Sequence, residues 1–157
     1  MARSCLLAIR IRGGVNVESR KEATLRMLRI DRNNYATLID DRPDYLGMLQ
    51  KVKDYVTWGE PTPETVKHLL ERRGEAPGGG AIDAETLKSL GFDDLEGLSK
   101  ALTECSIDFS KLEVVKPFFR LHPPRKGFKK TIKRFYTEGG ELGYRGEAIN
   151  DLAIKMS

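Results

Sequence analysis

At 157 residues, 39% hydrophobic and 32% charged, the chain holds enough apolar material for one domain with a real core under a heavily charged surface. No apolar run approaches the roughly 18 residues of a bilayer-crossing helix, and "SCLLAIRIR" meets Arg10 too early for a secretory apolar segment. A membrane protein and an exported one are set aside, and a cytoplasmic location is expected.

The net charge of +4 conceals sorting along the chain. Residues 1–58 carry +4, 59–115 carry −6, 116–136 carry +8 with no acid at all, and 137–157 carry −2. An acidic middle between basic segments is not what a merely solvated surface produces. Two histidines, His68 and His122, and two cysteines, Cys5 and Cys105, give no zinc spacing, and the cysteines suit buried reduced thiols better than a disulfide. No metal and no cofactor is expected.

In chain order, residues 5–11 read as a buried strand ending at Gly13-Gly14. "SRKE", from Ser19 to Glu22, has capping-box spacing for a first helix with Leu25 and Leu28 inward. "YATLID" is a second strand. Pro43 opens a second helix, helped by Asp40, Asp41 and Asp44, with Leu46, Leu49 and Val52 or Val56 as its apolar stripe. "YVTWG" is a third strand, which completes βαβαβ by residue 59: two helices on one face of a three-stranded sheet.

The middle changes character. Thr62 and Pro63 start a helix with Val66, Leu69 and Leu70 inward and Gly74 beyond its end. "EAPGGG" is a connector, Asp83 caps a short helix that Gly91 ends, and Leu95, Leu98, Ala101 and Leu102 mark another. "LEVVKPFFRL" returns to strand character, with Pro117 placing it at an edge or bulge and Phe118 and Phe119 in the core. In "EAINDLAIKM", Ile149, Leu152, Ala153 and Met156 share one helical face. The expected organisation is a βαβαβ core over 1–59, an acidic helical insert over 60–112, and a return strand, basic loop and docked helix over 113–157.

The strongest functional signal lies in "RLHPPRKGFKKTIKRF". Arg125, Lys126, Lys129, Lys130, Lys133 and Arg134 alternate with Phe128, Phe135 and Tyr136, cations for phosphates and rings for unpaired bases. Pro123-Pro124 favours an extended tongue over a helix, one expected to order only on assembly. Arg10, Arg12, Arg20, Lys21, Arg26, Arg29 and Arg32 form a second basic group around the first helix, and Asn33 and Asn34 are turn residues. His122 suits a hydrogen bond in the RNA-facing turn. Catalysis is not expected: no phosphate-loop motif with its lysine occurs, and Cys105 has only Glu104 and Asp108 for company.

The stretch "IRIRGGVNVESRKEATLRMLRIDRNNYATLIDDRPDYLGMLQKVKDYVTWGE" resembles the large-subunit ribosomal protein L-thirty family, called L-seven in eukaryotes. "GEPTPETVKHLL", "RLHPPRKGF" and "GGELGYRG" look like its longer archaeal form. The resemblance implies a mixed α/β fold with a ferredoxin-like, mostly antiparallel three-stranded sheet. It also implies a structural, non-catalytic constituent of the large ribosomal subunit, binding rRNA near the 5S rRNA beside other ribosomal proteins. Membrane and small-molecule substrate have no place in it. On that resemblance Arg10, Arg12, the first-helix cations and the segment from His122 to Arg134 face rRNA. The rival reading is a protein-interaction adaptor that uses the acidic insert and the basic loop.

Overall fold

Six consecutive buried residues, Cys5–Arg10, form β1 in the middle of the sheet. Leu7 and Ile9 join one apolar cluster and Leu6 and Ala8 another, so both faces of the strand are covered. The computed structural model describes residues 4–13, 17–76, 79–109, 112 and 115–157. Gly14 at the expected end of the first strand, Pro77 and Gly78 in the connector, and Glu113 and Val114 in the return segment lie outside the described residues.

After β1 come α1 (Ser19–Met27), β2 (Tyr35–Asp40), α2 (Pro43–Lys51) and β3 (Val56–Gly59). β2 and β3 flank β1 and both run antiparallel to it, with Leu7 opposite Leu38 and Gly59. Leu25 and Leu28 with Leu49 and Val52 cover one face of this unit, reaching Trp58. The βαβαβ order is therefore present, but the sheet has six strands, not three. β4 (Phe119–Arg120) adds antiparallel to β2, while β6 (Gly140–Tyr144) adds parallel to β3 and carries β5 (Thr131–Phe135) outside it.

The extra strands escape a periodicity reading for physical reasons. β4 is two residues long, and β5 is an edge strand whose residues are exposed or half-buried, so neither shows an apolar alternation. Pro117 precedes β4 at the opposite edge, where its missing N–H costs no ladder bond.

The second face of the sheet is covered by α3 (Pro63–Arg73), α4 (Ala84–Ser89), α5 (Leu95–Thr103) and α6 (Ile149–Met156). Val66, Leu69 and Leu70 of α3, Leu98 and Leu102 of α5 and Ile149, Leu152 and Met156 of α6 share one cluster with Leu7 and Ile9. Thr62, Asp83 and Asp94 cap α3, α4 and α5 by accepting from backbone N–H groups.

Other local expectations need correction. Ser19 lies inside α1, whose N-cap is Glu18 without a side-chain bond, so the capping box does not form. Asp40 does not cap α2; it grips Arg42 through two 2.8 Å bonds, and Arg42 is the N-cap. Leu46 is 39% exposed, and Val56 belongs to β3. Gly74 ends α3 with φ −66, so it is required by space: an added Cβ would lie 2.5 Å from the Leu70 carbonyl oxygen. Cys5 is buried, and burial pushes its thiol up to about 12, whereas Cys105 is only half-buried.

Two predictions arise from the packing. A Cβ at Gly59 would stand against the Gly146 carbonyl oxygen and 3.0 Å from Ile149 Cβ, where neither backbone can yield. Gly59→Ala is expected to cost about 1–3 kcal/mol, at the level of an overpacked core, seen as a lowered urea midpoint. Glu75, just after α3, accepts from Arg120 Nε and Lys116 Nζ, both at 3.0 Å, and its carbonyl takes the Lys116 N–H at 2.8 Å. Arg120 foremost, then Lys116, holds the Glu75 carboxyl below the usual carboxylate range. The unfolded chain takes up this proton more readily, so the contribution is complete above about pH 4.3 and is lost as pH falls through the depressed folded value. Glu75→Gln is expected to flatten the acid limb of melting temperature against pH; an acid limb of unchanged slope would remove Glu75 from that role.

Candidate nucleic-acid interface

The strand order brings distant basic segments to one end of the sheet. β1 finishes where β3 begins, because the Arg12 N–H donates to the Tyr55 carbonyl at 3.3 Å. The Arg12 guanidinium lies 5.7 Å and the Lys21 ammonium 5.9 Å from the centre of the Tyr55 ring. Lys53 lies 5.4 Å from the Phe135 ring, which carries the end of β5 to the same place. Arg12, Lys21, Lys53, Tyr55 and Phe135 thus meet, although more than a hundred positions separate the first from the last.

The cationic tract is not a free tongue. Gly127 donates to the Pro124 carbonyl at 2.9 Å, closing a tight turn with Lys126 at φ 64 and Gly127 at φ 76. The Lys130 N–H donates to Glu141 Oε1 at 3.0 Å, and residues 131–135 pair with β6. Phe128, Ile132 and Phe135 are partly buried against the core. Their apolar contacts and the Glu141 anchor hold the tract against the sheet, in place of the expected order on assembly alone.

Arg125, Lys126, Lys129, Lys130, Lys133 and Arg134 are all exposed. His122 is half-buried, with Nε2 3.0 Å from the Ser157 carbonyl oxygen and Nδ1 2.6 Å from that of Pro123, so it ties the start of the tract to the end of α6. In the N-terminal group, Arg20 and Arg32 are exposed. Arg26 and Arg29 border a groove between α1 and α2 together with Met27, Tyr45 and Arg42, apart from Arg12 and Lys21. Arg29 and Asn34 have φ 67; Asn34 is a turn residue, its N–H bound to the Arg10 carbonyl at 2.9 Å.

Arg10 is placed differently. It is 1% exposed, and its guanidinium donates to the Arg12 carbonyl at 2.9 Å and the Ile30 carbonyl at 3.3 Å. An arginine bound in this way braces the loop after β1 and offers no surface to a phosphate. Lys53, by contrast, carries no signal of its own in the sequence. Only the β3–β6–β5 neighbourhood reveals its place, since nothing in "KVKDYV" distinguishes it from a solvated helix end.

Architecture and charge define a mixed α/β protein with one cationic end. Among the described residues there is no cluster of His, Cys, Asp and Glu set to hold a metal ion, and no helix long and apolar enough to cross a membrane. A family model described as "Ribosomal protein L30p/L7e" matches residues 6–56. The chain is 51% identical to the large ribosomal subunit protein uL30 of Methanopyrus kandleri, covering 93% of this chain and 99% of that one. To the uL30 of Nanoarchaeum equitans it is 46% identical, covering 93% and 94%. For that of Ignicoccus hospitalis the identity is 43%, with 99% of each chain covered. The chain belongs to the uL30 family of large ribosomal subunit proteins. Likeness to the Ignicoccus hospitalis relative extends through the cationic tract and α6, well past the segment that the family model matches.

Proposed function

We propose that the chain is a structural, non-catalytic constituent of the large ribosomal subunit that binds rRNA through its cationic sheet end and tract. The observation that carries this reading is the convergence of Arg12, Lys21 and Lys53 with Phe135 at one end of the sheet, beside a tract of exposed cations. A single cluster of cations with few acids near it repels itself in water and is relieved by phosphates, whose counterions are released on binding. The protein is positioned by charge and shape rather than by reading base edges in a helix. Arg12, Arg20, Lys21, Arg26, Arg29, Arg32, Arg125, Lys126, Lys129, Lys130, Lys133 and Arg134 are the RNA-facing groups of this reading, joined by Lys53. His122 orients the tract, and Arg10 supports the loop from inside.

Residues 60–112 present Asp93, Asp94 and Glu96 to solvent and are turned to a neighbouring protein or to water rather than to RNA. The family resemblance supports a place close to the 5S rRNA. Co-sedimentation with large ribosomal subunits at moderate salt tests the proposal. The chain is expected in the subunit fraction and to be released as salt rises. Recovery in the soluble fraction, or with a protein free of RNA, would favour the adaptor reading instead.

A further inference from the structure

A cavity of about 150 Å³ opens between the cationic tract and α6. Its apolar surface comes from Pro124 and Phe128 on the tract side and Ala148 and Leu152 on the other, and polar groups supply about as much of the lining. Its polar groups are the carboxylates of Glu141 and Asp151, which only accept hydrogen bonds, the cations of Lys129, Lys130, Arg145 and Lys155, which only donate, and the Tyr136 hydroxyl, which does both. Both Glu141 oxygens are already bound, by the Lys130 N–H and by Arg145. A void of roughly this volume admits a six-membered aromatic ring, and the opening to solvent leaves room for the remainder of a purine.

Tyr136, also at the cavity, is already engaged: Lys130 lies 5.0 Å and Arg145 5.1 Å from its ring centre. Phe128, half-buried with one part packed against the core, is the other aromatic side chain at the cavity. A bare phosphate or sulfate fits poorly, because two carboxylates share the cavity with the lysines. A base suits both sets of groups, with its ring between the apolar walls, its polar edge on a carboxylate and its flanking phosphates on the lysines.

We infer that the cavity takes a single unpaired base extruded from the bound RNA, an inference that rests on the rRNA-binding reading of the tract. Unstacked bases in bulges and loops are what proteins hold on aromatic side chains in RNA. The Asp151 carboxylate selects a base that carries an exocyclic amino group, which donates to it. Uracil has no such group, and its one edge donor, N3–H, lies between two carbonyl oxygens that face a carboxylate unfavourably. Asp151, exposed in the first turn of α6, is the selecting residue, since Glu141 is already bound to the Lys130 N–H and to Arg145.

Binding of the full chain to labelled RNA hairpins tests this, using a fully paired stem and the same stem with a single bulged adenosine or a single bulged uridine. The bulged-adenosine hairpin is expected to bind roughly tenfold tighter than the paired one, with the uridine bulge close to the paired stem. Asp151→Asn supplies an amide that both donates and accepts, and is expected to bring the uridine bulge up to the adenosine one. Ala148→Phe fills the cavity and is expected to abolish the bulge preference, while affinity for the paired stem and its salt dependence stay unchanged. Equal binding of all three hairpins by the unaltered chain, or a bulge preference that survives Ala148→Phe, would overturn the inference and leave the rRNA reading standing. Loss of salt-dependent binding to the paired stem as well would overturn both.

Discussion

Glu141→Ala is expected to be the most damaging single substitution near the tract, lowering stability by about 3–5 kcal/mol, the usual cost of orphaning one member of a buried ion pair. The side chains of Glu141 and Arg145 are 6% and 5% exposed, and Glu141 Oε2 accepts from Arg145 Nη2 at 2.7 Å. Arg145 Nε also donates to Thr57 Oγ1 at 2.8 Å, and the guanidinium lies over the Tyr136 ring. Removing the carboxylate leaves a buried positive charge with a hydroxyl, a carbonyl and a ring for company. It also leaves the Lys130 N–H without its acceptor.

The exposed pairs Lys67–Glu71 and Lys100–Glu96, at 3.9 Å and 3.8 Å, are expected to matter far less, at about 0.3–0.5 kcal/mol each. Urea denaturation of the single variants ranks them directly. The double change Glu141→Leu with Arg145→Met should recover much of the loss, because no buried charge is then left unpaired. A cost below about 1 kcal/mol for Glu141→Ala would mean that water reaches the pair. Amide exchange at Lys130 gives an independent reading, since its protection should fall with the carboxylate.

The parts of the fold legible in the sequence are those where local pattern and tertiary demand coincide. "CLLAIR" has to be a central strand, and "INDLAIKM" has to dock by Ile149, Leu152, Ala153 and Met156, which are all buried. Thr62 and Asp83 cap their helices with groups whose preference for that place is intrinsic. Ser19 has the same chemistry, but the chain enters α1 one residue earlier, at Glu18, so the motif matches in spacing and fails in place. β5 is illegible for another reason: it is held by a Glu141 anchor and by half-buried rings rather than by an apolar face.

The candidate site divides in the same way. The charge of the tract is visible in composition, and so is the presence of a second basic group. Which cations meet is a property of the strand order β1–β3–β6–β5, which composition does not encode. Arg10 illustrates the limit. Its type and position suggest a phosphate partner, yet the carbonyls of Arg12 and Ile30, brought together by the loop after β1 and the end of α1, enclose it. Glu141 and Arg145 give no signal either, because a four-residue spacing points to a pair on a helix and theirs spans the end of β6.

Replacing four tract cations together, by Arg125→Ala, Lys126→Gly, Lys129→Ala and Lys130→Ala, is expected to have the largest effect on RNA association. Glycine is chosen at 126 because φ there is 64, a conformation in which alanine is strained. All four side chains are exposed, so folding should be nearly unchanged. If each meets a phosphate, the slope of log affinity against log salt becomes shallower by about 3–4, close to one for each phosphate no longer neutralised. Arg12 and Lys21 should contribute less when replaced. Lys21 is already 3.5 Å from Asp54, and Arg12 donates to the Asp54 carbonyl, so each must give up an internal partner to meet RNA. A quadruple variant that keeps the parent slope while losing affinity would show that the tract acts through shape alone. An unchanged slope with unchanged affinity would take the RNA away from residues 125–130 and leave the N-terminal group with Lys53, Lys133 and Arg134 as its candidates.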